Sequence, residues 1–456
     1  MGTNTMTYFE QNRQNYLEGL KTWLRIPSIS TLPENKPDIR RAAEFARDEL
    51  RAAGLETDLL EAEGRNPLVY AEWLGVPGKP TLLFYGHYDV QPPDPLEEWK
   101  SPPFEPEVRN DNLYARGSSD DKGQTYILIK AVEGLLKTGG KLPCNVKFIL
   151  EGEEEVGGEH LEAYVASKPP RLKADAAIIC DTEMFAPELP TICVGLRGLV
   201  YTEVHVQGPD HDLHSGVYGG AAPNPIMAIA EILTALKGRD GHIHIPGFYN
   251  RVRPPSLEES EAWSRLPFYP EEYRKQEVGS TELTGEPGYT VFERTWARPT
   301  FEVHGIRGGF TGEGAKTVIP ARAVAKVSMR LVADQPPDEA FEQFKAAVAQ
   351  ATPAGVIAEV KLIHGAAPSL VNPNNDYVRA AAVAMEQIFG NKTVYIRSGG
   401  SIPIVGSFDR ELGMPSVLMG FGLPDDNLHS PNEKFYLPNF YRGIEAVARF
   451  IELVGA

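Results

Sequence analysis

The chain alternates short apolar runs with amphipathic segments over its first part. The segments 8–24 and 39–53 have apolar residues at helical spacing, and the second ends before Gly54, a common helix stop. The strand-length runs that follow are LVYAEWL, TLLFYG, NVKFIL and AAIIC, and one segment between them, TYILIKAVEGLLK, again has helical spacing. Strands that alternate with helices predict an α/β domain with a mostly parallel sheet, in which ligands bind at the carboxyl ends of the strands.

A different pattern lies between residues 198 and 375. Strand-like YTEVHVQ and helix-like PIMAIAEILTALKG precede a Pro- and Glu-rich stretch at 246–299, and KVSMRLV, PDEAFEQFKAAVAQ and GVIAEVKLIH follow it. We interpret this part as an α+β domain inserted into the first one. The α/β pattern resumes at residue 376 with YVRAAAVAMEQIFG, PSVLMG and FYRGIEAVARFIELVG. The predicted domains are therefore 1–197 together with 376–456, and the inserted 198–375.

Composition and charge narrow the classes of partner. The 456 residues include 45 Lys and Arg against 62 Asp and Glu, a formal net charge of −17. This charge repels phosphate backbones and anionic lipids, so neither nucleic acid nor a membrane surface is expected as a partner. The cysteines Cys144, Cys180 and Cys193 have no C-x-x-C spacing, and the chain has no apolar leader or long apolar run. We therefore expect a protein of a reducing compartment, the cytoplasm.

Side chains that can bind metals follow the predicted strands where those strands end. Each alone has an ordinary explanation as a surface or structural residue. Together they converge on one edge of a parallel sheet, where carboxylates would repel one another by several kcal/mol unless a cation lay among them. The residues are His87 and Asp89 after TLLFYG, Asp120 and Asp121 in RGSSDDKG, Glu153, Glu154 and Glu155 after NVKFIL, Asp181 after AAIIC, and His429 in DDNLHSPNE.

The types of ligand favour one kind of cation. Imidazoles combined with carboxylates suit Zn²⁺ or a similar cation better than Mg²⁺, which seldom binds imidazole, or Ca²⁺, which takes more oxygens. A structural zinc site more often uses cysteines, and none lies in these motifs. The set therefore predicts a hydrolytic metal site with open positions for water.

Seven motifs in this order resemble a known enzyme family. They are GHYDVQP, ARGSSDDKG, EGEEEVGG, CDTE, HDLHSGVYGG, GGSIP and HSPNE. The family is that of the di-zinc exopeptidases and deacylases, which includes carnosinases, cytosolic nonspecific dipeptidase, aminoacylase and succinyl-diaminopimelate desuccinylase. The resemblance extends from about residue 10 to the end of the chain. The motifs GGSIP, HDLHSGVYGG, KTVIP and SMRLVADQ are most similar to the carnosinase and dipeptidase branch.

The resemblance implies a zinc-exopeptidase catalytic domain that holds two divalent metal ions. Zn²⁺ is the first expectation, and Mn²⁺ and Co²⁺ are alternatives. The family also has a non-proline cis peptide after the bridging residue, here Asp120-Asp121. The implied ligands are His87 for one ion, Asp120 as the bridge, Glu155 for the second ion, and Asp181 and His429 to complete the two sets.

Two further residues near these ligands have implied roles. Asp89 would orient the imidazole of His87 by a hydrogen bond. Glu154 would be the general base, and Glu153 would have no role. The chemistry of Glu154 also follows from the residues, because a carboxylate that is not itself a ligand is needed to accept the proton of the activated water.

The inserted domain would be a lid and dimerisation domain. From the residues alone, His214 is a helix N-terminal histidine, Ser215 a local cap and Arg330 a surface arginine of an edge strand. The resemblance implies instead that His214 reaches the active site of the partner subunit in a homodimer and stabilises the oxyanion. It also implies a clamp for a substrate carboxylate, formed by Thr317, Arg330, His364, Gly400 and Ser401.

Three functions remain open at this point. The first is a metal-dependent exopeptidase for dipeptides or short peptides with a free C-terminal carboxylate. The second is an N-acyl-amino-acid deacylase of the same fold. The third, a non-catalytic metal-binding scaffold, is disfavoured because Asp89 and Glu154 are both present. Asp181, where carboxypeptidase-like members tend to have Glu, favours the dipeptidase branch.

Overall fold

Two compact units make up the chain in the computed structural model, which describes residues 2–456. The first unit comprises the residues up to Val194 together with Val371–Ile396 and Ile404–Ala456. The second comprises Gly195–Leu370 and the short segment Arg397–Pro403, which includes Gly400 and Ser401. Among the described residues, no helix is long and apolar enough to span a membrane.

The helices are numbered α1 to α12 in chain order. Several of them match the amphipathic segments of the sequence. Helix α2 ends directly before Gly54, whose φ of 111° is the left-handed conformation of a glycine helix stop. Their bounds are Thr3–Leu24, Lys36–Ala53, Lys122–Gly139, Glu159–Ala166, Ser215–Tyr218, Pro225–Leu236, Leu257–Ser264, Pro270–Glu272, Pro337–Ala351, Asp376–Phe389, Pro403–Leu412 and Leu437–Gly455.

The strands are numbered β1 to β18 in the same way. Their bounds are Glu56–Leu60, Leu68–Trp73, Thr81–His87, Glu107–Arg109, Asn112–Tyr114, Asn145–Glu151, Ala176–Ile179, Thr191–Leu196, Gly198–Gln207, Leu213–His214, Thr300–Gly308, Val318–Ile319, Arg322–Leu331, Ile357–Ala366, Ser369–Leu370, Val394–Ser398, Ser416–Leu418 and Lys434–Tyr436.

The main sheet of the first unit has the strand order β1-β2-β6-β3-β7-β17-β8. The four strands in its middle, β6, β3, β7 and β17, are parallel to one another, and the outer pairings are antiparallel. Every residue of β6 is buried, as expected of a strand that is covered on both faces. The prediction of a mixed α/β fold with a mostly parallel central sheet is confirmed.

The parallel strands of this sheet end at a common edge. His87 is the last residue of β3 and pairs with Glu151, the last residue of β6. The neighbouring strand β7 ends at Ile179, and Asp181 follows two residues later. This edge is where the sequence predicts the metal ligands.

Helix α3 holds the loop that carries Asp120 and Asp121 against the core of the first unit. It begins at Lys122, directly after that loop, and is buried for most of its length because it packs against α1, α2 and α12. The core around it includes Trp23, Phe148 and Phe440, each almost completely buried. The loop is therefore anchored at its carboxyl end by one of the most buried helices of the fold.

The second unit contains an antiparallel sheet of order β11-β13-β9-β14. Burial alternates along β9, so one face of the sheet packs on a core and the other does not. Helices α6 and α9 contact the sheet and share this core. Arg330 lies on β13, between β11 and β9, so the interpretation of Arg330 as a residue of an edge strand was wrong.

The Pro- and Glu-rich stretch contains helix α7 and the three-residue helix α8, and α7 is the longer of the two. The first turn of α7 is a capping box in which the Ser256 side chain accepts from the N–H of Glu259, and Glu259 accepts from the N–H of Ser256. Further along, Phe268, Phe292 and Trp296 form ring contacts. These contacts give an otherwise polar stretch its own small aromatic cluster.

Candidate active site

Asp120 lies between two histidines from opposite ends of the chain. Its Oδ1 is 3.0 Å from Nε2 of His87, and its Oδ2 is 2.9 Å from Nε2 of His429. Each oxygen of the carboxylate thus faces a different imidazole. A carboxylate in this position has the geometry needed to bridge two cations.

Two groups of ligand-type side chains share Asp120. One consists of His87, Asp120 and Asp181, and the other of Asp120, Glu155 and His429. Within each group, one ligand atom per residue lies within 4.8 Å of the others. Nε2 of His87 is 4.0 Å from Oδ2 of Asp181, and Nε2 of His429 is 3.3 Å from Oε2 of Glu155. The five residues predicted as metal ligands are therefore brought together.

The negative charge of the carboxylates in these groups is suited to binding cations. Among residues 2–456, no Lys or Arg forms an ion pair with Asp120, Glu155 or Asp181. Burial and the neighbouring carboxylates raise the pKa of Asp181 well above its usual range and also raise that of Glu155. Burial acts in the same direction on Asp120, but hydrogen bonds from His429 and His87 outweigh it and lower the pKa. Such a cluster needs positive charge, which two divalent cations would supply.

The imidazole of His87 is completely buried and is fixed through its second nitrogen. Nδ1 lies 3.1 Å from the carbonyl oxygen of Asp89 and 3.4 Å from its carboxylate. Burial alone lowers the pKa of His87, but the contacts with Asp120 and Asp89 raise it well above its usual value. Nε2 is thereby directed toward Asp120, the orientation that a metal-binding histidine requires.

The backbone beside these ligands is held by side chains that are not ligands themselves. Oδ2 of Asp121 accepts from the N–H of His87 and from the hydroxyl of Thr125. The peptide bond between Asp120 and Asp121 is cis. Gln91, which the sequence did not single out, donates from Nε2 to Oε2 of Glu155 over 2.8 Å. These contacts orient ligands of both groups.

The three consecutive glutamates have different surroundings. Within the described chain, the carboxylate of Glu154 has no hydrogen-bond partner, and burial and the charges of Glu155 and Asp120 raise its pKa. Glu153 accepts from the N–H of Asn66 over 2.7 Å and from Arg65 over 3.4 Å. Glu153 therefore has a structural role in joining two loops, which corrects the expectation that it has none.

Part of the predicted carboxylate clamp is assembled in the second unit. Nη1 of Arg330 donates to the hydroxyl of Ser401 over 3.0 Å, and this hydroxyl donates to the carbonyl of Arg197. Arg197 in turn binds the carbonyls of Gly399 and Gly400. Burial lowers the pKa of Arg330, and no Asp or Glu of the described chain forms an ion pair with either arginine. The charge of Glu302 acts on Arg197, whereas burial alone shifts the pKa of Arg330, so the guanidinium of Arg330 is the one suited to an anion.

His364 lies on the same face of the second unit's sheet as Arg330. Arg330 pairs with Leu199 and His364 pairs with Tyr201, two positions along β9, which places both on the face away from the core. No hydrogen bond joins His364 to Arg330 in residues 2–456. The two residues share a face but are not in contact through hydrogen bonds.

His214 lies on the short strand β10, Thr317 directly precedes its partner strand β12, and both residues are exposed. The N–H of Ser215 donates to the carbonyl of Thr317, and Nδ1 of His214 accepts from the N–H of Gly216. His214 itself therefore caps helix α5, and the expectation that Ser215 is the cap was wrong. Because Nδ1 is an acceptor, a neutral His214 carries its proton on Nε2 and can donate it.

Comparison with known proteins places this site in a family. The profile of Peptidase family M20/M25/M40 matches residues 83–453. The chain belongs to this peptidase family. That span contains all of the predicted metal ligands, from His87 to His429.

Individual members of the M20/M25/M40 family are similar over nearly the whole chain. Cys-Gly metallodipeptidase DUG1 of Candida albicans is 32% identical, covering 98% of this chain and 96% of that protein. Human Beta-Ala-His dipeptidase is 31% identical, covering 97% and 90%. The crystal structure of the M20 family metallo-carboxypeptidase Sso-CP2 from Sulfolobus solfataricus is 34% identical, covers 96% and 99%, and has a TM-score of 0.87.

Proposed function

We propose that the protein is a metal-dependent dipeptidase that hydrolyses dipeptides and short peptides with a free C-terminal carboxylate. The observation that carries this proposal is the sharing of Asp120 by two groups of histidine and carboxylate ligands. The names of the relatives support peptide substrates, because two are called dipeptidases and one a carboxypeptidase. They do not favour the alternative, an N-acyl-amino-acid deacylase.

The metal centre in this proposal holds two divalent cations. His87 and Asp181 would hold one, Glu155 and His429 would hold the other, and Asp120 would be shared between them. Zn²⁺ is proposed because imidazole and carboxylate ligands suit it, with Mn²⁺ or Co²⁺ as alternatives. The bound cations would polarise the scissile carbonyl and make a water molecule acidic enough to react near neutral pH.

Glu154 is the general base and then the general acid. Its carboxylate accepts a proton as the water oxygen forms its bond to the carbonyl carbon. It then delivers that proton to the amide nitrogen as the carbon–nitrogen bond breaks. The absence of a hydrogen-bond partner for Glu154 within the described chain supports this role, because its oxygens are not engaged elsewhere.

His214 donates a hydrogen bond to the oxyanion of the partner subunit's site in a homodimer. The exposed ring with a donor at Nε2 supports the assignment. Large apolar side chains beside it also support an interface, since Val217 is 70% exposed and Tyr218 is 47% exposed. The cytoplasmic location predicted from the cysteine content stays a prediction.

Arg330 binds the C-terminal carboxylate of the substrate, assisted by Ser401, Gly400, Thr317 and His364. Arg330, which forms no ion pair with an Asp or Glu of the described chain, supports an anion at this position. A desolvated guanidinium left without its anion costs several kcal/mol, so substrates that lack the carboxylate are rejected.

A substrate panel tests the proposal. The metal-free protein is reconstituted separately with Zn²⁺, Mn²⁺ and Co²⁺ and assayed on dipeptides including Cys-Gly and β-Ala-His, on the same dipeptides with amidated C-termini, and on N-acetyl amino acids. We expect dipeptides to be hydrolysed with a kcat/KM at least about a hundredfold above that of their amides. Arg330→Ala should lower the activity on the free acid by a similar factor.

Two results would contradict the proposal. Faster hydrolysis of N-acetyl amino acids than of every dipeptide would favour the deacylase. Equal turnover of acids and amides would exclude the carboxylate clamp. Elemental analysis of the reconstituted protein should give two metal ions per chain, and full activity with one ion would exclude the dinuclear centre.

A further inference from the structure

A buried ion pair lies beside the shared carboxylate of the metal centre. Arg116 and Glu433 have side chains that are 1% and 0% exposed, and Nη1 of Arg116 is 2.8 Å from Oε2 of Glu433. Neither residue belongs to the two groups of ligand-type side chains. The two residues are 317 positions apart in the chain, so the pair joins distant segments.

Glu433 binds the backbone of the loop that carries Asp120. Its carboxylate accepts four hydrogen bonds, which is close to the capacity of the group. One oxygen takes the N–H groups of Ser119 and Asp120 at 2.9 and 3.1 Å, and the other takes the N–H of Gly117 and Nη1 of Arg116, both at 2.8 Å. The backbone of Asp120 is thereby fixed by a group that never touches the Asp120 carboxylate.

Arg116 binds the loop that carries His429. Its Nη2 donates to the carbonyl of Ser430 over 3.2 Å and to the carbonyl of Pro92 over 3.3 Å. Ser430 is the residue directly after His429. The ion pair therefore joins the loop of Asp120 to the loop of His429, whose side chains meet at 2.9 Å.

We propose that Arg116 and Glu433 are positioning residues for the dinuclear metal centre. They hold the Asp120 and His429 loops at the separation that metal binding needs before any cation is bound. This inference rests on the metal centre of the proposed function. Partners that orient metal ligands are worth about 10- to 100-fold in metal affinity, and we expect an effect of this size.

The alternative is that the pair only stabilises the fold. Breaking any buried ion pair destabilises a protein, so a lower melting temperature does not distinguish the two roles. Metal affinity distinguishes the two roles, because only a positioning role predicts weaker metal binding. A matched control exists in the second unit, where Arg298 and Glu286 have side chains that are 9% and 12% exposed and form two hydrogen bonds of 2.7 and 2.8 Å.

The experiment compares Glu433→Gln with Glu286→Gln in the full-length protein. Gln at 433 keeps the shape, but its NH₂ group must face N–H donors on whichever side it lies. Metal-free samples are titrated with Co²⁺ and followed by visible absorption, and their thermal unfolding is recorded. We expect Glu433→Gln to bind Co²⁺ about 10- to 100-fold more weakly with altered absorption bands. Glu286→Gln should lose thermal stability but keep its Co²⁺ affinity within about twofold.

Arg116→Lys provides a second test if Glu433→Gln does not fold. Lysine keeps a positive charge near Glu433 but cannot donate to Glu433 and to Ser430 with one planar group. It should weaken Co²⁺ binding in the same direction. If the folded variants bind Co²⁺ as tightly as the wild type, the inference is wrong and the metal centre stands. If the wild type binds no Co²⁺, the proposed metal centre fails and the inference fails with it.

Discussion

The carboxylate of Asp89 accepts a hydrogen bond from the backbone N–H of Glu155 over 3.1 Å. Its other oxygen lies 3.4 Å from Nδ1 of His87. The buried side chain of Asp89 therefore contacts one predicted ligand from each of the two groups. It contacts the ring of His87 and the backbone of Glu155. The family resemblance implies only that Asp89 orients His87. We infer that Asp89 also holds the backbone of Glu155.

Asp89→Asn should weaken Zn²⁺ binding by about 10- to 100-fold. The amide keeps the shape but loses the negative charge, and its NH₂ group would oppose the Glu155 N–H or the His87 ring. Competition with a chelator of known affinity measures the change. The control is Glu97→Gln. Glu97 is exposed and lies ten residues before β4 begins, so this variant should bind Zn²⁺ like the wild type. Unchanged affinity in Asp89→Asn would show that the backbone carbonyl of Asp89 orients His87 by itself.

Glu154→Gln should keep two metal ions per chain and lose turnover by a factor on the order of 10² to 10⁴. Glutamine has the size of the base but cannot accept the proton. The adjacent Glu153→Gln is the matched variant, because Glu153 is held by Asn66 and Arg65 and should affect stability more than turnover. Steady-state kcat and metal content are measured on both. If Glu154→Gln kept normal turnover and Glu153→Gln lost it, Glu153 and not Glu154 would be the general base.

The sequence was sufficient to predict the edge of the sheet where the ligands meet. Apolar runs of strand length identify β3, β6 and β7, and parallel strands end at one edge, so His87, Glu155 and Asp181 were expected to converge. Asp120 and His429 lie on loops, whose positions depend on long-range packing. The sequence analysis counted both among the converging residues, but their individual roles as bridge and ligand came from the family resemblance and not from periodicity.

The contacts that hold these loops were not predictable from the pattern. Arg116 and Glu433 read as ordinary charged residues, since nothing local marks an ion pair formed across 317 positions. Gln91 is equally unremarkable in sequence. Helix α7, by contrast, has a local signal in Ser256-x-x-Glu259, the capping box, which a search of the Pro- and Glu-rich stretch for helix starts would find.

Mixed dimers of two inactive variants test the position of His214. One subunit carries Glu154→Gln and the other His214→Ala, and the two carry different affinity tags. If His214 acts in the partner's site, one site of the mixed dimer has both residues and about half of the wild-type activity should return. If it acts within its own chain, every site lacks one residue and no activity returns.

Two control measurements allow the activity of the mixed dimer to be interpreted. Each variant purified alone should be nearly inactive, and mixed dimers of wild type with Glu154→Gln give the activity of a single intact site. Activity in the tested pair equal to this value is the expected outcome. A purified protein that sedimentation shows to be a monomer with full activity would contradict both the dimer and the role of His214 in it.

The pH dependence of folding stability can be tested at Glu151, which is not a proposed metal ligand. It lies at the end of β6, where Tyr85 donates to Oε1 over 2.8 Å and the buried Oε2 has no hydrogen-bond partner in the described chain. Burial, reinforced by the charge of Asp89, raises the pKa of Glu151 to about 8. The folded state therefore keeps a proton that the unfolded state loses near pH 4.5.

This difference gives the direction of the pH dependence. Between about pH 4.5 and 8 the folded state binds more protons than the unfolded state, so the contribution of Glu151 to stability falls as the pH rises. Glu151→Gln cannot ionise and should raise the melting temperature of the metal-free protein by a few degrees at pH 8.5. At pH 4.5 its melting temperature should be close to that of the wild type. A stabilisation by Glu151→Gln that is equal at pH 4.5 and 8.5 would mean that the carboxyl does not titrate in this range, and the gain would then come from packing.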